Sequence, residues 1–295
     1  MLTLLLFFGG CGGDTPSPGE EQGSARTVRL NKIAELGRKL DETSGMIMVD
    51  GKLYTHNDSG NRPYLYEIDP ANGKIIRSIH IEGAVNRDWE DLAQDDTYIY
   101  IADTGNNLGK RRDLNIYRVS KNDLLNSDDI PSESIKIAYE DQSSFNYSRY
   151  TTPFDAEALI AFDGSLYLFS KNWNDYTTSI YKIPTIPGNY KIRPLFKKKL
   201  NIMVTAADLD PETHSIALIG YANIYKDLPS ASMVFILSDY NENDFFSGIS
   251  LALKIENSME VGQIEAVAFG NGGKNDLFIS AEGNPAVLYK MSIPK

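Results

Sequence analysis

The chain carries one cysteine, Cys11, in 295 residues. An intramolecular disulfide is therefore impossible, and zinc sites built from several thiolates are excluded with it. Histidine is nearly as scarce. A triple-histidine metal site would need His56, His80 and His214 together, drawn from distant parts of the chain. Bases are outnumbered too, with 29 Lys+Arg against 40 Asp+Glu and a formal net charge of −11. Nucleic-acid partners want a basic footprint and anionic lipid a polybasic patch, so both are excluded as docking partners. No apolar run reaches the about 20 residues that span a bilayer. Nor does the sequence hold a His-Glu-x-x-His helix, a P-loop or a Gly-x-Ser-x-Gly elbow. Asp239-Tyr-Asn-Glu-Asn243 opens like an EF-hand loop, but Asp244 stands where glycine is needed and Ser250 where the closing glutamate is. What remains is ordinary globular composition, long enough for one large domain or two modest ones.

The first residues have a separate character. An apolar stretch, Leu2–Phe8, is followed by Gly9, Gly10 and Cys11, then by a Pro/Gly/Glu-rich stretch to about Gly23. This resembles a bacterial lipoprotein signal, which implies that Cys11 is acylated as the first mature residue. Residues 1–24 read as signal and flexible tether, and 25–295 as one folded domain. The resemblance places the protein in the bacterial cell envelope, periplasmic or surface-exposed. It is expected as a monomer that meets the membrane only through its anchor.

The body of the chain repeats. Five segments share one order: an apolar run rich in small residues, a tight turn, an apolar-aromatic strand, an Asn/Gly-rich loop and a further strand. They start near Thr43, Trp89, Ala156, Thr205 and Ile264, and their turns fall at Asp50-Gly51, Asp95 to Thr97, Asp163-Gly164, Pro211 to His214 and Gly272-Gly273. Third strands recur in register at Leu65, Ile116, Ile180, Val234 and Leu288. Fourth strands are expected at Ile75–Ile81, Ser134–Tyr139, Tyr190–Arg193 and Ile249–Ile255, and the fifth unit ends after three. β-Branched and aromatic content with Gly/Asn/Asp punctuation marks these as strands. A leftover strand from Arg26 to Leu36 precedes the first unit. The economical solution is an all-β fold, a five-bladed β-propeller whose ring is closed by the N-terminal strand. A sixth blade would need another sheet, and Glu140–Pro153 is too short to supply one. Small residues such as Ala93, Ala158, Ala206, Ala207, Ala266 and Ala268 suit inner strands crowded at an axis.

In a propeller, the start of each first strand and each second-to-third loop lie on one face, the mouth face. The longer Asn-rich loops fall there, and loops on a rigid scaffold carry function. Ser44, Glu90, Glu157, Thr205 and Glu265 stand at the axial starts. Converging carboxylates repel unless a cation neutralises them, and a ring of hard oxygen donors suits Ca2+. The alternative is solvated glutamates, or glutamates paired with Arg87 and Lys171. The blade layout and this ring resemble the five-bladed calcium-dependent apyrases, which implies a central Ca2+ held by these five residues. They are also similar to phytase-like and SdiA-regulated bacterial propellers, which are often lipoproteins.

Around the ring, the same face carries His56, Asp58, Arg87, Asp103, Lys171, Trp173 and Glu282, with several asparagines that also fit ordinary Asx-turns. Trp173, Tyr176, Tyr221 and Tyr225 could form a stacking rim or simply pack. Two functions are open. One is a Ca2+-bearing propeller that binds a small molecule or protein on its mouth face, with Arg87, Asp103, Lys171, Trp173 and Glu282 in the ligand site. The other is a metal-dependent hydrolase of phosphate or carboxylic esters, with His56 or Asp58 as general base.

Overall fold

The computed structural model describes residues 25–225, 228–270 and 275–294. Tight hairpins set its architecture. Asp50 and Gly51 (φ 46° and 80°) and Asp163 and Gly164 (φ 46° and 67°) are left-handed at both positions. Two-residue turns of that hand match the right-handed twist of the strands they join.

Two short strands come first, β1 (Arg26–Val28) and β2 (Asn31–Glu35). Blade one follows with β3 (Thr43–Val49), β4 (Lys52–Asn57), β5 (Tyr64–Ile68) and β6 (Ile75–Glu82). Blade two contains β7 (Asp91–Gln94), β8 (Tyr98–Asp103) and β9 (Asn115–Ser120), then β11 (Glu133–Tyr139), while the short β10 (Asp129–Pro131) before β11 lies parallel to β6 on the edge of blade one. In the third stretch lie β12 (Asp155–Phe162), β13 (Ser165–Lys171), β14 (Thr177–Pro184), β15 (Gly188–Ile192) and β16 (Pro194–Lys199). Blade four has β17 (Met203–Leu209), β18 (Ile216–Tyr225), β19 (Leu228–Ser238) and β20 (Ile249–Ile255). Blade five has β21 (Ile264–Phe269), β22 (Asp276–Ala281) and β23 (Val287–Ser292).

These strands form five sheets, with β3, β7, β12, β17 and β21 innermost, so the fold is a five-bladed β-propeller. The ring closes as expected: β2 pairs antiparallel with β23, from Asn31↔Lys290 to Glu35↔Val287. Three departures from the sequence reading lie at sheet edges, the first being β10 on blade one. The N-terminal strand divides, and β1 runs parallel to β20 on blade four. The strand around Tyr190 is not the fourth of blade three. As β15 it lies parallel to β11 on blade two, and β16 takes the blade-three edge. Pro194 opens β16 directly after Arg193, and the exposed Lys197, Lys198 and Lys199 blunt the outer edge. Alternation reveals a strand but not the sheet it joins.

Five apolar clusters fill the spaces between consecutive blades. The closing interface is built like the others, with Leu40, Met46 and Leu53 against Ala266, Ala268 and Leu288, all fully buried. Each such Leu or Met contributes roughly 1.5–3 kcal/mol on burial, so blade-to-blade packing holds the ring.

Candidate functional site

At the mouth of the axis the inner strands share a defect. Pairing slips by one residue in β3, β12, β17 and β21, and the extra residues are Gly45, Glu157, Thr205 and Glu265. In blade two the Glu90 N–H bonds Ala102 O (2.8 Å) just ahead of the Asp91↔Ala102 pair, giving the same two-against-one count. A β-bulge re-aims its side chain, and here it turns the glutamates toward one another. The blade-one member of the series is therefore Gly45, not Ser44. Gly45 has φ +60°, and a Cβ there would meet His56 Nε2 at 2.5 Å and the Asp91 Cα at 2.8 Å. No acid fits at that point. Blade one instead contributes Asp58, one residue beyond β4.

The carboxylates gather in two overlapping triads. Oxygens of Asp58, Asp88 and Glu90 lie within 4.8 Å of one another, and so do those of Glu90, Asp155 and Glu157. Glu90 belongs to both. Beneath them runs Gly105, where a Cβ would meet Glu90 Oε1 at 1.9 Å and Asp88 Oδ2 at 2.5 Å, so the floor is bare backbone. Among the described residues, one ammonium enters the group. Lys171 Nζ donates to Glu157 Oε2 at 2.5 Å and to Tyr221 Oη at 3.2 Å, and lies 3.9 Å from Glu265 Oε1. Tyr221 in turn donates to Glu265 Oε1 at 2.6 Å. Asp155 is fixed by Trp173 Nε1 (2.8 Å) and the Asn106 N–H (2.6 Å). Asp58 Oδ1 is buried with no hydrogen-bond partner.

Among the described residues, seven carboxylates (Asp58, Asp88, Glu90, Asp155, Glu157, Glu265 and Glu282) thus share one lysine. Burial, reinforced by the charges of Glu157, Asp58 and Asp88, pushes Glu90 well above the ordinary range. Burial is also the main cause at Asp88, raised to about 6, Asp58, raised to about 8, and Glu282, raised to about 9, with neighbouring acids adding to each. Lys171 moves up instead, because Glu157 and Glu265 outweigh its desolvation. A carboxylate whose folded value is raised stabilises the fold fully below its unfolded value and loses that contribution as pH rises through the folded one. We expect the melting temperature in EDTA to fall steadily from about pH 5 to about pH 9. A thermal melt series checks this, and a flat or rising profile would contradict it.

The other residues singled out in the sequence are dispersed. Ser44 Oγ donates to Glu90 O (2.7 Å) and Thr205 Oγ1 to Ile264 O (2.7 Å), so both hydroxyls tie adjacent blades together. His56 is fully buried, its Nε2 facing Gly45 without a partner and its ring edge-on to Trp89 at 5.6 Å. Burial lowers it to about 4. A neutral, enclosed imidazole is not placed to act as a general base at the mouth. Arg87 is exposed and pairs with Asp113 at 2.8 Å, and makes no ion pair with the carboxylates of the triads among the described residues. Asp103 accepts the Asp88 N–H (2.9 Å) and pairs with Arg111 (3.1 Å), which makes it a support for Asp88. Lys171, Trp173 and Asp58 join the cluster directly, and Glu282 borders it. The sequence reading left out Asp88 and Asp155. Their signal is the repeated acid-x-Glu step, Asp88-Trp-Glu90 and Asp155-Ala-Glu157, which blade five echoes as Gln263-Ile-Glu265.

Fold and site together define a five-bladed propeller with a buried acidic cluster at one end of its axis, of a kind able to hold a metal ion. No protein-family model and no curated protein matches the chain. Among solved structures it is similar to an exo-β-1,3-galactanase from Phanerochaete chrysosporium, crystallised with β-1,3-galactotriose. The TM-score is 0.50 at 10% identity, over 84% of this chain and 59% of that one. Glutaminyl cyclase from Myxococcus xanthus gives a TM-score of 0.49 at 12% identity, over 92% and 100%. A hypothetical protein from Leishmania major gives 0.49 at 13%, over 90% and 91%. At these identities the likeness is one of fold.

Proposed function

We propose that this chain is a Ca2+-binding propeller of the bacterial cell envelope that recognises a small molecule or protein at its mouth face. The observation that carries the cation is the pair of acidic triads joined at Glu90 over the Gly105 floor, with Lys171 as their one buried ammonium among the described residues. Asp58, Asp88, Glu90, Asp155 and Glu157 would hold the ion. Their donors are all oxygen, and Ca2+ accepts six to eight of these in irregular geometry. Once bound, it would supply positive charge for an anionic ligand group. The protein's own part is positioning: Trp173 holds Asp155, Lys171 holds Glu157, and Asp103 holds the Asp88 backbone. Cys11 lies outside the described residues, and its acylation is part of the proposal. β1 runs parallel to β20, from the far face toward the mouth, so an anchor would join the domain from the far face.

The mature protein tests this directly. Excess Ca2+ should raise the wild-type melting temperature by about 5 °C and flatten its fall with pH, while Glu90→Gln should respond little. If no divalent ion shifts the melt and Glu90→Gln stabilises the apo protein, the cation reading is wrong. Palmitate labelling that survives Cys11→Ser would remove the anchor from the proposal. The hydrolase alternative has one observation in its favour, the Asp58 carboxyl, whose buried Oδ1 has no partner and which is raised to about 8 at the edge of the triads, where a proton carrier could work. Ca2+-dependent turnover of phosphate or carboxylic esters that Asp58→Asn abolishes would establish it. The absence of turnover leaves binding.

A further inference from the structure

One long connection on the mouth face belongs to no blade. Residues 140–153 join β11 to β12 without a strand of their own, and most are exposed. Gln142 Nε2 of this strap donates to Gly109 O (2.9 Å) and the Tyr150 N–H to Asn107 O (3.1 Å). The Arg112 guanidinium lies 3.5 Å from the centre of the Phe145 ring. The far end is fastened to the loop after β13. Asn174 Nδ2 donates to Thr151 O (3.0 Å), and the Tyr150 ring packs on Trp173 with centres 4.2 Å apart. Tyr150 is 43% exposed and has φ 63°. A bulky residue stays in the left-handed region only while its surroundings hold it there, and Trp173 is the contact that does so. Trp173 also faces the axis, where its Nε1 donates to Asp155 Oδ2 (2.8 Å). Tyr150, Trp173 and Asp155 therefore form a chain of direct contacts from the strap to the second acidic triad.

We propose that the strap is a lid coupled to the cation, with Tyr150 as a positioning residue that acts on Asp155 through Trp173. An ion held by Asp155 fixes that carboxylate. A fixed carboxylate orients the indole through a charge-assisted hydrogen bond, and the indole then offers Tyr150 a rigid surface. Without the ion the indole is freer, and the left-handed backbone at Tyr150 favours release of the strap. Such coupling is reciprocal, so a closed strap must tighten ion binding by the same factor. The inference deepens the proposed function by assigning the regulation of its site, and it rests on the cation reading.

Amide hydrogen exchange of the mature protein in Ca2+ and in EDTA tests it. Excess Ca2+ should slow exchange in the strap about tenfold, while the turn at residues 69–74 on the far face is unaffected. Tyr150→Phe keeps the ring and should retain the effect. Tyr150→Gly accepts the backbone angle but lacks the ring, and should lose most of the slowing and weaken calorimetric Ca2+ binding about tenfold. Equal slowing in the strap and in the far-face turn would be global stabilisation and overturns the proposal. So does a Tyr150→Gly variant that behaves like wild type, or a Tyr150→Phe variant that loses the effect. The two readings fail differently. Ca2+ that raises the melting temperature but leaves strap exchange unchanged removes the coupling alone, whereas Ca2+ that alters neither removes the cation and the coupling with it.

Discussion

Asp91→Asn is expected to lower the unfolding free energy by about 3 kcal/mol, although it removes no apolar contact. Asp91 is fully buried at the axis, next to Glu90 but directed away from the acid triads. Its Oδ1 accepts the Leu92 N–H at 2.9 Å. Its Oδ2 accepts two more, from Leu159 at 2.8 Å in blade three and from Ala207 at 3.0 Å in blade four. One carboxylate thus joins three blades through backbone groups that sheet pairing leaves free beside the bulges. Both oxygens are acceptors, so an asparagine amide must face a backbone N–H in either orientation. That leaves a donor opposite a donor in a dry site. Asp208 provides the internal comparison. It accepts from Leu209 N (2.9 Å) and from Phe269 N (2.8 Å), and so reaches only one neighbouring blade. Asp208→Asn should cost roughly half as much. Urea unfolding of the two variants at one pH measures both. Equal losses, or a loss under about 1 kcal/mol at Asp91, would show that the axis is held by blade packing alone.

Most of the architecture is legible in the sequence because each blade repeats the same burial problem. The inner strand must be small and apolar, the next apolar and aromatic, and the turns must supply left-handed residues such as Asp50-Gly51 and Asp163-Gly164. Edge strands obey no such repeat. The Tyr190 strand alternates correctly and still crosses to blade two, since an outer edge accepts any extended segment that reaches it. The site follows a similar rule. The recurring glutamates stand out from sequence because charge beside small apolar residues is unusual. The bulge that aims them is a matter of pairing, and counting registers without it selects Ser44 where Gly45 belongs. Asp58 escaped the metal reading because it comes from the end of a second strand. His56 attracted attention through its rarity, but its place is between Gly45 and Trp89, where a buried ring explains why the bulge in blade one has no side chain.

Lys171→Met should be more damaging than its small change in volume implies, with a loss of about 3–5 kcal/mol in EDTA near neutral pH. Lys171 is 4% exposed at the end of β13, and its ammonium is set among Glu157, Glu265 and Tyr221. Methionine keeps the unbranched stem but loses the ammonium that sits 4.9 Å over the centre of the Trp173 ring, and it leaves Glu157 and Glu265 buried without a counterion. Their folded pKa values, already raised by burial, must then rise further. By the sign that governs raised carboxylates, the deficit is greatest at high pH and shrinks as the glutamates take up protons toward about pH 5. A lost packing contact would show no such dependence. Glu157→Gln added to Lys171→Met should recover much of the loss, since it removes a charge that has become uncompensated. Ca2+ gives the sharper test. If the triads hold a divalent ion, it should stabilise Lys171→Met by more than it stabilises the wild type, because it then neutralises Glu157 as well as Glu90. An equal gain in both proteins would mean that lysine and cation act on separate charges. A variant as stable as wild type at pH 8 in EDTA would mean that the cluster never required its ammonium.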